Sequence, residues 1–193
     1  MTGFRLGSIA TLLLIALQLT GCTSKAIDVT ESWDVDKLYR EAHGAMLDGH
    51  HLLATEYYEK LQLRYPYGIY AQQSLLDMTY SYYQTDNKFE ALESISRFIK
   101  LYPVHDQAAY AYYMKGLVNF DLNSGFFTRL FDQDVTEREV DSVRSSYDDF
   151  ELLVKLYPDS KYTEDSRKRM VFLRNELAQH EVYVARYYIT RGS

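Results

Sequence analysis

The chain has 193 residues, 47% of them hydrophobic and 25% charged, which fits one compact domain or one short array of repeats. Its formal net charge is −6. An acidic chain without a basic block is a poor candidate for binding nucleic acid, or for binding a membrane by charge alone. Tyrosine is the outlier at 19 residues. Because a tyrosine is apolar along its ring and polar at its tip, these residues suit either half-buried seams between helices or a protein-binding face.

The first 22 residues have the features of an export signal. Arg5 supplies a positive charge, and residues 9–19 form an apolar run that is too short to cross a bilayer as a helix. The run ends in Leu19-Thr20-Gly21-Cys22, which resembles the lipobox of bacterial lipoproteins. The sequence therefore predicts a signal peptide over 1–21, lipid modification of Cys22, and a polar tether over 22–34.

The lipobox resemblance implies a lasting membrane anchor. The thiol of Cys22 takes a diacylglycerol group, and its amino group, once freed by cleavage, is acylated as well. Several acyl chains, at about 0.8 kcal/mol per buried CH₂, hold a protein where a single chain is marginal. Thr23 follows the lipidated cysteine, and by resemblance to lipoprotein sorting a residue other than aspartate at this position favours the outer membrane. We therefore expect the chain to lie at the periplasmic face of the outer membrane. Cys22 is the only cysteine, and no disulfide within the chain is possible.

Beyond the tether, the pattern predicts consecutive helices joined by short turns. Asp48-Gly49 and Asp86-Asn87 mark two of the turns, and Thr136 with Glu139 forms a capping box that opens a helix. The predicted helices cover residues 35–47, 52–64, 71–84, 88–101, 107–121, 137–156 and 162–190. We expect an all-α chain.

A recurring helix ending is the clearest internal signal. A Tyr-Pro pair closes a helix at Pro66, Pro103 and Pro158, since proline cannot donate within a helix and restrains the residue before it. Alignment on these pairs brings into register small residues (Ala54, Ala91, Ser146) and two sets of large ones (Tyr58, Ile95, Phe150 and Leu61, Phe98, Leu153). Ala42 and Gly116 fit the small position of the preceding helix, and Thr79 fits it less well. The register resembles the tetratricopeptide repeat, a helix-turn-helix unit of about 34 residues.

This resemblance implies a right-handed superhelix of tetratricopeptide-like hairpins. The repeats are expected near 35–66, 70–103 and 107–158, with a partial fourth repeat over 162–193. The second and third prolines are 55 residues apart, against 37 for the first pair, which puts an insertion at 121–136. Phe126 and Phe127 make this insertion too apolar for a free loop. We expect it either to fold back onto the repeats or to form part of a docking surface.

No constellation of residues points to catalysis or to a metal. There is no HExxH motif and no Cys-His cluster, so neither a metal site nor a cofactor is predicted. Residues 132–136 resemble the start of a calcium loop, but Glu137 replaces the glycine at the sixth position and Val143 replaces the acid at the twelfth. GxSxG and phosphate-cradling glycine loops are absent as well. We therefore predict that the chain is not an enzyme.

What remains is a binding surface. A stack of hairpins presents a face lined mainly by the first helix of each hairpin. Rigid tyrosines beside glutamine, aspartate and arginine suit an extended or C-terminal peptide with aromatic side chains. The candidate peptide-binding residues are Tyr67, Tyr70, Gln73, Asp77, Tyr80, Tyr83, Arg97 and Tyr112. Packing between helices remains the alternative explanation for any single tyrosine.

Several blocks together resemble the BamD-like family, lipoproteins of the outer-membrane β-barrel assembly machine. They are the lipobox, residues 64–73, 97–103, 113–117 and 125–127, residues 169–173, and the ending at 187–192. The resemblance covers essentially the whole chain and implies a non-catalytic scaffold. Its N-terminal repeats would receive unfolded outer-membrane proteins, and its C-terminal repeats would dock BamA and accessory Bam lipoproteins. The residues implied for docking are Phe126, Phe127, Arg169, Tyr187, Tyr188 and Arg191.

One departure and two rival roles qualify that resemblance. The chain stops at Ser193, whereas members of the family continue, so docking is expected to rely on residues 164–191. The rivals are another periplasmic lipoprotein of the same repeat type, such as a pilotin for a secretin ring, and a regulator of cell-wall hydrolases. The insertion around Phe126 and the 37-residue first spacing argue against a plain array.

Overall fold

The computed structural model describes residues 28–122 and 137–192, with side chains from residue 140 onward in the second range. Seven helices lie in these ranges: α1 Val35–Leu47, α2 His51–Arg64, α3 Ile69–Gln84, α4 Lys88–Leu101, α5 Ala108–Leu122, α6 Glu137–Leu156 and α7 Thr163–Arg191. The predicted helices are confirmed, with ends that differ by two residues at most. The insertion residues Phe126 and Phe127, and Thr136 of the capping box, lie outside the described ranges.

Local sequence signals explain where α1 begins and where α1 and α3 end. Asp34 caps α1 by accepting a hydrogen bond of 2.8 Å from the backbone N–H of Lys37. Gly49 follows the end of α1 with a φ of 79°, and Asp86 takes the equivalent place after α3 with a φ of 61°. Glycine and, less readily, aspartate tolerate this left-handed conformation. Both turns therefore reverse the chain within a few residues.

The three Tyr-Pro endings have the same geometry. The backbone N–H groups of Tyr65, Tyr102 and Tyr157 donate to the carbonyls of Leu61, Phe98 and Leu153, over 2.8, 2.9 and 2.8 Å. All nine side chains that the alignment placed in register are fully buried. The second helices of the three hairpins are thus equivalent, as the tetratricopeptide-like pattern predicts.

Helices pack in the order of the chain. Each helix contacts the next, and α1 contacts α3 as α3 contacts α5. One hydrophobic cluster runs through α1 to α5, around Tyr58, Leu75 and Phe98, and a second joins α5, α6 and α7 around Phe150 and Leu173. This is the arrangement of stacked helical hairpins, in which α1, α3, α5 and the start of α7 share one face.

Small side chains allow the closest approach between helices. Gly116 of α5 lies against the ring of Phe150, and its carbonyl accepts a hydrogen bond of 2.9 Å from Ser146 of α6. Thr79, the less ideal residue at the equivalent position of α3, is also fully buried. Its hydroxyl donates to the carbonyl of Leu75 over 2.7 Å, which satisfies the polar group inside the core. Within the described residues, no helix is both long and apolar enough to cross a membrane.

Candidate peptide-binding groove

The face shared by α1, α3, α5 and the start of α7 contains a cavity of about 510 Å³. We call this cavity and its lining the tyrosine groove. Its lining residues are Asp77, Asp106, Gln107, Ala109, Tyr110, Ser160, Lys161 and Tyr162. They come from α3, from the loop before α5, from α5 itself and from the loop before α7. Three successive hairpins therefore contribute to one site.

Asp77 is the centre of the hydrogen bonds at one end of the groove. Its Oδ2 accepts from the hydroxyls of Tyr39 on α1 and Tyr58 on α2, over 3.0 and 3.1 Å, and lies 3.3 Å from Nδ1 of His43. Its Oδ1 accepts from Nε2 of Gln73 over 2.8 Å. The carboxylate is buried, and these donors occupy both of its oxygens. Asp77 thus ties three helices together, and its hydrogen bonding is largely satisfied without a ligand.

Contacts between neighbouring hairpins recur at an offset of 34 residues. The hydroxyl of Tyr70 donates to Asp36 over 2.6 Å, His43 contacts Asp77, and Nε2 of Gln107 donates to Gln73 over 3.3 Å. α1 and α3 begin 34 residues apart, whereas the first two Tyr-Pro endings are 37 residues apart. The difference arises because α3 has 16 residues and α1 has 13.

The other end of the groove is built from stacked aromatic rings. Tyr162 stacks on Tyr113 with ring centres 4.8 Å apart, and Tyr110 lies 5.7 Å from Tyr162. The Tyr113 hydroxyl donates to Asp165 over 2.8 Å, and Nε of Arg169 donates to the same carboxylate over 2.6 Å. Offset and tilted rings of this kind stabilise each other and hold the side chains rigid. The start of α7 is fixed against α5 in this way.

Burial and hydrogen bonding perturb several of these groups. Burial raises the pKa of Tyr110, and the neighbouring Tyr162 and Asp77 add to the effect. Burial alone would raise the pKa of Asp165, but the hydrogen bonds from Arg169 and Tyr113 outweigh it and hold that pKa below its ordinary value. At neutral pH the hydroxyl of Tyr110 is therefore neutral, and the Asp165 carboxylate stays charged. Such a surface suits hydrogen bonding and aromatic contact rather than proton transfer.

Four of the eight residues predicted to bind peptide lie on the groove side of α3. Asp77 lines the cavity, and Gln73 bridges it to Gln107. Tyr70 packs against Tyr39 with ring centres 4.9 Å apart. Tyr80 lies one turn beyond Asp77, partly exposed, with its ring against the edge of His51.

The other four lie elsewhere. Tyr67 is on the loop before α3 and almost fully exposed, and Arg97 is exposed on α4. Tyr83 is half-buried, and its hydroxyl donates to Asp121 of α5. Tyr112 pairs with Tyr157 at the end of α6, over 6.2 Å between ring centres. The structure therefore groups Tyr110 and Tyr113 with the groove, and not Tyr112.

The residues predicted for partner docking fall on two parts of α7. Arg169 is paired with Asp165, and its guanidinium lies 5.1 Å from the ring of Phe120. Near the other end, Tyr187 and Tyr188 are in edge contact, and Arg191 lies over Tyr187 at 4.6 Å. Tyr188 and the neighbouring Ile189 are exposed.

Sequence reasoning missed several residues that line the groove or hold its lining in place: Tyr39, His43, Tyr58, Gln107 and Tyr162. A signal for three of them was available. Offsetting the first helices by 34 residues aligns Tyr39 with Gln73 and Gln107, and His43 with Asp77. Alignment on the first two Tyr-Pro pairs does not show this register, because it offsets the sequence by 37 residues and not by 34. In the described part of the chain, no group of histidines and carboxylates is arranged to hold a metal ion.

Comparison with known proteins finds a matching family model and several similar proteins. A family model described as outer membrane lipoprotein (YfiO) matches residues 32–193. Outer membrane protein assembly factor BamD of Neisseria meningitidis is 40% identical over 182 residues, which is 94% of this chain and 68% of the relative. The proteins of the same name from Vibrio cholerae and Haemophilus influenzae are 37% and 31% identical. Those matches cover 92% and 93% of this chain, and 74% and 68% of the relatives.

Proposed function

The chain belongs to the BamD (YfiO) family of outer membrane protein assembly factors, and we propose that its tyrosine groove binds extended segments of unfolded outer membrane proteins. The relatives are named as assembly factors, and a non-catalytic scaffold is the role this implies. We propose that the chain acts by binding alone.

The observation that carries the proposal is a cavity lined by Asp77, Tyr110 and Tyr162, whose side chains are held in place. Asp77 is held by Tyr39 and Tyr58, and Tyr162 is held by stacking on Tyr113, whose hydroxyl donates to Asp165. A side chain that is already fixed loses little conformational entropy when a ligand binds. Tyrosine also combines a large apolar contact area with a hydrogen-bonding tip, which suits segments that alternate apolar and polar side chains. Transmembrane β-strands have this alternation.

Site-specific photo-crosslinking tests the groove. A crosslinker in place of Tyr110 or Tyr80 should capture unfolded outer membrane proteins in living cells. The matched control is Tyr112, which lies on the same helix as Tyr110 but packs on Tyr157. Crosslinking at Tyr112 without crosslinking at Tyr110 and Tyr80 would mean that unfolded proteins bind outside the groove, and it would refute the proposal.

We further propose that the exposed end of α7 docks a partner of the assembly machine, with BamA and accessory Bam lipoproteins as the candidates. Tyr188 and Ile189 are exposed, and Val182 lines a shallow cavity with Tyr183 and Arg186. Exposed apolar side chains on a regular helix are typical of an interaction face. Tyr188→Ser with Ile189→Ser should reduce co-purification of BamA, whereas Leu47→Ser with Leu52→Ser, exposed on the first hairpin, should not. Phe126 and Phe127 remain further candidates for docking.

Cys22 is proposed as the site of lipid attachment, which would hold the chain at the periplasmic face of the outer membrane. The proposal is supported by the family description as an outer membrane lipoprotein and by the lipobox around Cys22. Mass spectrometry of the mature N-terminal peptide should find a triacylated cysteine. A mature terminus without acyl chains, or one that begins elsewhere, would contradict it.

A further inference from the structure

Successive helices run antiparallel, so the second helix of each hairpin ends on the edge where the first helices begin. The hydroxyl of Tyr65, at the end of α2, donates to the carbonyl of Trp33, just before α1, over 3.2 Å. On the same edge, the hydroxyl of Tyr157 donates to the carbonyl of Pro103 over 3.4 Å. We call this side the tether edge; it comprises Trp33, Asp34 and the loops 65–68, 102–107 and 157–162. The polar tether predicted over 22–34 joins the helices here.

A row of exposed apolar side chains follows the tether edge across three hairpins. Tyr67 is 87% exposed, Ile69 is 73% exposed, and Val104 is 94% exposed. At least half of the side chain is also exposed for three leucines in the last turns of α2, α4 and α6: Leu63, Leu101 and Leu156. Single exposed apolar residues are ordinary, but a row along one edge is typical of an interaction surface.

The chemistry of this edge is that of a membrane interface. Tryptophan and tyrosine favour the level of the lipid headgroups, and aliphatic side chains favour the acyl boundary just below it. Each second helix also has a basic residue in its last turn, Arg64, Lys100 and Lys155. Asp34, Asp106 and Asp159 lie on the same edge, as does Lys161, so acidic and basic side chains there nearly balance. Apolar contact rather than attraction to anionic lipid would therefore dominate.

We propose that the tether edge lies against the phospholipid surface of the membrane to which Cys22 anchors the chain. The inference rests on the proposed anchor, because the anchor brings the membrane within reach. The 11 residues from Cys22 to Trp33 span at most about 36–40 Å when fully extended. Lipid anchors commonly act with a second membrane contact, and the row of Tyr67, Ile69 and Val104 supplies one. Loops 102–107 and 157–162 also line the tyrosine groove, so docking by this edge places the groove beside the bilayer.

Trp33 provides a direct probe, because it is the only tryptophan of the chain. Its ring packs on Tyr57 at 5.4 Å and lies under the ammonium of Lys37, so it reports from the edge itself. The acylated protein is reconstituted in vesicles of phosphatidylethanolamine and phosphatidylglycerol whose acyl chains are brominated. A docked edge brings Trp33 close to the bromines, and its fluorescence is quenched relative to vesicles without bromine.

The test compares two triple variants in those vesicles. Tyr67→Ser, Ile69→Ser and Val104→Ser together should lower the quenching of Trp33 by about tenfold, because the docked state loses its apolar contact. Leu47→Ser, Leu52→Ser and Phe89→Ser, at side chains 71%, 70% and 59% exposed on the opposite edge, should leave it unchanged. The single change Val104→Asp should lower quenching too and perturbs folding least.

Two results would overturn the inference: absence of quenching in the unaltered protein, or equal loss in both triple variants. Salt tests the same point, since quenching that disappears at high ionic strength would indicate binding by charge. The vesicles contain no client protein, so a failure of the groove to capture polypeptides leaves this result untouched. A protein that carries no acyl chain would instead refute the anchor itself.

Discussion

Gly116 of α5 lies directly under the ring of Phe150 of α6. A β-carbon at Gly116 would be 2.6 Å from the nearest ring atom, with two more ring atoms within 2.9 Å. No real side chain tolerates such distances, so the hairpin of α5 and α6 depends on a residue without a β-carbon at this point. Phe150 is fully buried and has little room to move aside.

Gly116→Ala should therefore destabilise the protein by about 1–3 kcal/mol, in spite of the better helix propensity of alanine. The matched control is Gly44→Ala in α1, where no atom lies within 4 Å of the new β-carbon. That change should stabilise the protein by about 0.5–1 kcal/mol. Urea denaturation of both variants measures whether each substitution raises or lowers the free energy of unfolding. A neutral Gly116→Ala variant would mean that Phe150 shifts without cost.

The buried carboxylate of Asp77 makes a second prediction about stability. Asp77→Ala leaves the hydroxyls of Tyr39 and Tyr58 without their acceptor, and we expect a loss of about 2–4 kcal/mol. Asp86→Asn is the control, since its side chain is exposed and asparagine tolerates the left-handed turn. This change should alter the free energy of unfolding by less than about 0.5 kcal/mol.

A double-mutant cycle separates the hydrogen bonds of Asp77 from its packing. Tyr39→Phe should be destabilising in the unaltered protein but nearly neutral in the Asp77→Ala background. Equal effects of Tyr39→Phe in both backgrounds would show that the hydrogen bond contributes nothing.

The sequence predicted the helices and the equivalence of the hairpins because both depend on local rules. Proline at positions 66, 103 and 158 ends a helix whatever surrounds it, and Gly49 marks a reversal of the chain by itself. The small residue and the large residue four positions later reveal the buried stripe. These signals survive without knowledge of the partner helix.

The composition of the groove was harder to predict, because it depends on how each first helix is rotated. Tyr110, Tyr112 and Tyr113 are nearly adjacent in sequence, but a turn of about 100° per residue sends them to different neighbours. Tyr110 and Tyr113 meet Tyr162, whereas Tyr112 meets Tyr157. Asp77 was expected to bind a ligand, yet its oxygens are occupied by donors from three helices. A tyrosine-rich sequence shows that a polar face exists, and only the packing shows which hydroxyls are already used.

Alkaline pH tests the internal tyrosines. Burial, with the hydrogen bond to Asp121, raises the pKa of Tyr83 to about 12. A group whose pKa is raised on folding stabilises the protein fully below its unfolded pKa, near 10, and loses that contribution as the pH rises through the folded value. Tyr83→Phe should therefore be destabilising at pH about 8, with an effect that shrinks as the pH approaches about 12.

Urea midpoints across this pH range measure the effect of Tyr83→Phe. Tyr67→Phe is the control, because the ring of Tyr67 is exposed on a loop. An effect of Tyr83→Phe that stays constant with pH would mean that the hydroxyl is not held by Asp121.

The ion pair of Lys115 and Asp149 gives a prediction in which the effect of the substitution grows, rather than shrinks, as the pH rises. Asp149 is buried in α6 and accepts from Nζ of Lys115 over 2.7 Å and from Nδ2 of Asn119 over 2.9 Å. Burial raises its pKa, and the two donors only partly offset this. Since the pKa of an acid is raised on folding, its ionisation costs stability as the pH rises through the folded value. Removing the lysine makes that cost larger.

Lys115→Met should therefore destabilise the protein by about 2–4 kcal/mol at pH about 7, and by much less at pH about 4, where Asp149 takes up a proton. In the double variant with Asp149→Asn, the difference between the two pH values should disappear, because no buried carboxyl group remains. Lys161→Met, at an exposed lysine, controls for the general loss of positive charge. If Lys115→Met were equally costly at both pH values, the loss would come from the packing of the lysine stem and not from the stranded charge.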